Sequence, residues 1–149
     1  MTDPSALLGT WKMVSWQREV LATGERFDAL GPDPVGFINY GPDGRMFAIV
    51  IQRDRAAPAG PVPSDAEKLR LFNSMLAYAG TYTLHEEKVV HHIDASWNQA
   101  WTGTDQVRFY KLQGDILTIT GAPAKDPHTG QGVVHRILFR KTSSRSVSS

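Results

Sequence analysis

Short runs rich in apolar and β-favouring residues, bounded by turn sequences, recur along most of this chain, the pattern of a chain built almost entirely of strands. Such runs fall at residues 11–20, 35–40 and 46–52, and again at 81–86, 88–97, 106–112, 116–120 and 133–140. The breaks between them are turn sequences. Gly41-Pro42-Asp43-Gly44 places Pro early and Gly late, while Glu86-Glu87 and Gln113-Gly114-Asp115 suit tight hairpins. The pattern changes once. Ser64-Asp65-Ala66-Glu67 is a capping box, followed by Leu69, Phe72 and Leu76 at i, i+3 and i+7 with Leu71, Met75 and Tyr78 beside them. This predicts one helix over about 64–77, ended at Ala79-Gly80.

Eight strands in meander order with one inserted helix predict an all-β fold: an eight-stranded antiparallel up-and-down barrel over residues 1–142. Eight strands enclose just enough room for side chains or one small ligand. The wide apolar face of the helix suggests a lid near the barrel mouth. The serine-rich residues 143–149 read as a disordered tail. Gly9-Thr10-Trp11 on the first strand and Arg140 on the last suggest a closed floor, with the indole as plug and the guanidinium across its face. A barrel closed at one end is a cup for a small apolar molecule.

Composition narrows the partners. The 149 residues suffice for one domain with a real core. A formal net charge of +1, with scattered Lys and Arg, argues against a nucleic-acid surface. Without cysteine there is no disulfide or thiolate site. The start of the chain lacks the pattern of a signal peptide, and no stretch matches a membrane-spanning helix, so the expected location is the cytoplasm with no membrane partner. The five histidines show no metal-binding spacing, and no phosphate-binding or nucleophile motif is present, so neither metal nor cofactor is expected.

Leu7-Leu8-Gly9-Thr10-Trp11-Lys12, residues 34–46, Leu76 to Tyr82, His91-His92, Ser96-Trp97-Asn98 and Trp101 to Phe109 occur in an order that resembles the lipocalin-like domain family of bacteria and fungi. The resemblance covers about residues 6–141. It implies a small calycin-type barrel, with members among natural-product enzymes.

Several residues could carry chemistry. His91 and His92 are adjacent on a strand, so only one faces the cup. If Val89, Ile93, Ala95 and Trp97 point inward, His91 is internal; if His92, Asp94 and Ser96 do, the cavity carries a polar stripe. The commoner role of such a histidine is structural. Arg108 shares a face with Gln106 and Tyr110. It is either a solvent-side partner, for instance of Asp94, or an internal cation for a carboxylate, enolate or phenolate. Asn39, Tyr40, Phe72, Met75, Tyr78, Tyr82, Trp97, Trp101 and Tyr110 are the candidate pocket residues.

Two functions follow. One is binding of a small hydrophobic or aromatic, polyketide-like molecule in the cavity. The alternative is a cofactor-free cyclase or isomerase with His91 or His92 as acid or base and Arg108 stabilising an oxyanion. A homodimer is the expected assembly partner.

Overall fold

The computed structural model describes residues 4–125 and 130–143. His128 and nearly all of the expected tail lie outside them. Among the described residues the strands are β1 (Gly9–Val20), β2 (Arg26–Asp28), β3 (Val35–Tyr40), β4 (Arg45–Ile51), β5 (Met75–Leu84), β6 (Lys88–Ser96), β7 (Asp105–Gln113), β8 (Ile116–Gly121), β9 (Ala124–Lys125) and β10 (Gly132–Lys141). One helix, α1 (Asp65–Asn73), stands between β4 and β5.

All ladders between these strands are antiparallel, in the order β2-β1-β3-β4-β5-β6-β7-β8-β10-β9. β1 also pairs with β10, from Trp11↔Lys141 to Val20↔Val133, which closes the eight long strands into a barrel. The short β2 and β9 extend the rim at the far end of β1 and β10. Inward residues such as Ile38, Met46, Val89, Leu117, Ile119 and Phe139 are buried and form one core. Among the described residues no helix is long and apolar enough to cross a membrane.

The helix is shorter than its sequence pattern suggests. Its capping box forms as expected: Glu67 N–H donates to Ser64 Oγ, and Ser64 N–H donates to Glu67 Oε1. It ends at Ser74, not at residue 77, and Arg55 holds the end by donating to Leu71 O and Ser74 Oγ. From Met75 onward the chain is strand, with Leu76, Tyr78, Gly80, Tyr82 and Leu84 on the inner face. No residue of α1 is buried, and Leu69 is largely exposed. Half of the wide apolar face therefore belongs to β5, because Leu76 and Tyr78 fit a period of two as well as a helical one.

The floor is closed by a cation, but a different one. Trp11 is 1% exposed, and its indole N–H donates to Leu7 O at 2.9 Å. The ammonium over its ring, 4.6 Å from the centroid, is that of Lys141, which also donates to Leu8 O. Arg140, the predicted partner, lies across from Lys12 and points to solvent. Residues directly opposite in a ladder share a face, so Trp11↔Lys141 pairing places Arg140 outside. Gly9 adopts φ +113°, and a Cβ there would press on Lys141 Nζ.

Replacing Trp11 by Ala is expected to cost about 3–5 kcal/mol, the range for a buried large aromatic side chain. Lys141→Ala is expected to cost about 1 kcal/mol and Arg140→Ala less than about 0.5 kcal/mol. Urea denaturation of the three variants checks this, and an equal loss at 140 and 141 would contradict the assigned floor.

Candidate functional site

Two irregularities in the barrel decide which side chains enter the cup. Between Met13 and Ser15 the β1–β10 register slips by one residue at Val14, so Trp11 and Met13 face inward before it and Trp16 and Arg18 after it. Between Ala79 and Gly80 the β5–β6 register slips at Asp94. Val89, His91 and Ile93 are therefore buried, whereas Ala95 is exposed. The second slip requires Gly80, since a Cβ there would collide with the His92 carbonyl. Asp94 is turned outward and pairs with Arg45 at 2.7 Å, not with Arg108.

The cup holds a cavity of about 800 Å³. One wall is aromatic. Trp97 and Trp101 meet edge to face at 5.5 Å between centroids, Tyr78 lies 5.8 Å from Trp101, and Phe72 of α1 lies 6.0 Å from Trp97. Met75 completes this wall where α1 joins β5. Trp97 donates to Phe72 O at 3.3 Å, which ties the helix end to the wall.

Behind the wall stands a buried polar chain. His91 is 1% exposed, with Nε2 2.7 Å from the Tyr40 hydroxyl and Nδ1 2.7 Å from the Tyr78 hydroxyl. Burial, seconded by the charge of Arg108, pushes the imidazole down to about 3, so His91 is neutral at ordinary pH. Burial raises both tyrosines, Tyr40 strongly, while Arg108 opposes the rise at Tyr78 through its charge and a side-chain hydrogen bond. All three groups are therefore uncharged, and a neutral imidazole offers one donor and one acceptor.

The cavity also carries cations. Arg108 lines the cavity and pairs in register with Gly121. One step beyond the Thr120↔Arg136 pair, Gly121 comes level with His135, which itself pairs with Arg18. Arg108, His135 and Arg18 thus form an inward row across β7, β8, β10 and β1, with a glycine where a fourth side chain would stand. A Cβ at Gly121 would lie 3.8 Å from Arg108 Nη1, so the guanidinium leans over that gap. Trp16 N–H donates to His135 Nδ1 at 2.9 Å, and Arg18 sits 5.6 Å from the Phe27 ring centroid.

The structure thus brings His91, Arg108, Phe72, Met75, Tyr78, Trp97 and Trp101 to one cavity. It does not bring the other sequence candidates there. His92 lies on the outer face between Thr83 and Asp105, each 2.8 Å away. Asn39 also faces outward and donates to Thr10 Oγ1. Tyr40 stands behind His91, with Tyr82 edge-on to it at 5.0 Å and donating to Gly41 O. Tyr110 is buried and donates to His85 O at 3.3 Å. Trp16, Arg18 and His135 escaped sequence reasoning. Their inward phase depends on the slip at Val14 and on odd-numbered residues of β10 facing in, and neither leaves a mark in composition.

Among the described residues no three His, Asp or Glu side chains gather as a metal site. A family model for the lipocalin-like domain matches residues 8–142. Solved structures similar to this chain include a lipocalin-like protein from Bacteroides uniformis, 16% identical, with 91% of this chain and 98% of that chain covered at a TM-score of 0.49. Another is an uncharacterized protein from Bacteroides eggerthii, 13% identical, with 91% and 99% covered at a TM-score of 0.45. No curated protein matches the chain.

The depressed His91 sets an acid-stability expectation. In the unfolded chain the imidazole titrates near 6.5, and in the fold near 3, so between these values the unfolded state holds the extra proton. The contribution is complete above pH 6.5 and lost as pH falls toward 3. Between pH 7 and pH 4 this group alone removes about 3 kcal/mol. Urea denaturation across that range should show a steeper loss in the native protein than in His91→Gln, and parallel curves would refute the neutral, buried assignment.

Proposed function

The chain belongs to the family of lipocalin-like domains, and from that premise we propose that it binds one small, largely hydrophobic or aromatic molecule inside the barrel. The observation that carries this reading is the cavity of about 800 Å³ faced by Tyr78, Trp97, Trp101 and Phe72. That volume falls within the range of cavities that hold one small organic molecule. Edge-to-face and offset aromatic contacts reward planar rings beyond the area they bury. A barrel floor sealed by Trp11 and Lys141 leaves entry to the opposite end.

The geometry favours binding over an acid–base cyclase or isomerase. His92 is on the outer face, and His91 is held neutral with both ring nitrogens already hydrogen-bonded. A base with a pKa of about 3 is a poor match for proton abstraction near neutrality.

The neutral fluorophore N-phenyl-1-naphthylamine is expected to bind saturably, one per chain, with its emission enhanced. Trp97→Ala and Trp101→Ala should each weaken it about tenfold, one to one and a half kcal/mol for a lost aromatic contact. Absence of saturable binding would overturn the reading. Phe72→Ala and Met75→Ala are expected to speed release of the fluorophore in stopped-flow displacement more than they lower stability. Unchanged release rates would make α1 a packing element with no control over access.

A further inference from the structure

Cationic and donor groups gather in the row of Arg108, His135 and Arg18, while Asp105, the carboxylate that also lines the cavity, is engaged by His92. Arg108 and Arg18 are permanent cations. The indole of Trp16 can only donate, so His135 Nδ1 must accept, and the imidazole proton resides on Nε2. Among the described residues no carboxylate reaches Arg108, which donates only a long 3.3 Å bond to the neighbouring Val107 O beside its contact with Tyr78. A half-buried guanidinium without an anion is poorly compensated, and a ligand oxyanion would compensate it.

The Tyr40–His91–Tyr78 chain supplies a further donor. Among the described residues the Tyr40 hydroxyl has His91 as its one partner, and Tyr40 is fully buried. If Nε2 carried the imidazole proton, Tyr40 would accept it and its own O–H would be left buried without an acceptor, at a cost of about 1–3 kcal/mol. The other tautomer satisfies every group. Tyr40 O–H donates to Nε2, and Nδ1–H donates to the Tyr78 oxygen. With His91 donating to that oxygen and the Arg108 charge close to it, the Tyr78 proton is directed away from both, on a side chain that lines the cavity.

We propose that the cavity is specific for a planar aromatic carboxylate, whose anionic group seats between the Arg108 guanidinium and the Tyr78 O–H, with His135 and Arg18 extending the donor row beyond it. The ring system lies against Trp97 and Trp101. Arg108 supplies a planar fork matched to a carboxylate, and the gap at Gly121 leaves room beside it. This assignment rests on the binding reading above and adds the chemical class of the ligand.

The test displaces N-phenyl-1-naphthylamine with 2-naphthoate and with 2-naphthamide, which share ring and shape but differ in charge. The native protein is expected to bind the carboxylate about tenfold to hundredfold more tightly, the value of one charge-assisted, partly desolvated contact. In Arg108→Gln that preference should vanish while the neutral fluorophore still binds. Equal affinities in the native protein would overturn the carboxylate assignment and leave the binding reading intact. A preference that survives Arg108→Gln would overturn the seat at Arg108. If the fluorophore itself fails to bind the native protein, the binding reading and this assignment fall together. The native comparison needs no variant, so a folding defect in Arg108→Gln leaves the decision to it.

Discussion

Everything in this molecule depends on β1 pairing with β10. An open eight-stranded meander would leave two long edges and an inner face with no far wall. The ladder from Trp11↔Lys141 to Val20↔Val133 removes both edges and turns one face of the sheet into an interior. Trp11 and Lys141 sit at one end of that ladder and seal the floor, while Arg18 and His135 sit toward the other end and face the cavity. Closure and site are therefore built from the same two strands. A disturbance of the seam would be felt in the cup as well as in stability.

Closure also fixes a desolvation problem, because polar side chains that alternate inward lose water. His91 and Arg108 meet it differently. His91 is satisfied within the protein by two tyrosine hydroxyls, and the three remain uncharged. Arg108 cannot lose its charge, and the protein gives it only partial partners. The first arrangement is complete in itself and the second is not. That asymmetry is what the carboxylate proposal rests on: one polar group is satisfied within the protein and the other is only partly satisfied.

The alternation of strands, the turns, the capping box and the barrel were legible in the sequence, because each rests on local chemistry. The choice between His91 and His92 was not: the sequence leaves both phases of that strand open, and only the burial of Val89, His91 and Ile93 in the folded barrel resolves it. What failed was phase across irregularities. Pairing Trp11 with Arg140 rather than Lys141 is an error of one residue, and on a strand it exchanges the two faces. It therefore turned His135 outward as well, since His135 shares its face with Lys141 and not with Arg140. The slip at Val14 hid Trp16 and Arg18 for the same reason, and the slip at Asp94 turned Ala95 out. The helix end was lost where Leu76 and Tyr78 satisfy both periods. Packing against Val50, Ala48 and Ser96 across the ladders decides in favour of strand, and it is a long-range effect.

The role left to His91 follows from its surroundings. An imidazole pushed down to about 3 is neither a useful acid nor a useful base at neutral pH, so what it offers is direction: one nitrogen donates and the other accepts. Held between Tyr40 and Tyr78, it passes the orientation of a fully buried hydroxyl to one that lines the cavity. Replacing it with an apolar residue would leave both hydroxyls to reorient, and the Tyr78 proton would lose its fixed bearing. On the proposed binding reading, the hydrogen-bond polarity that would orient a molecule in the cup is set behind the surface such a molecule would touch.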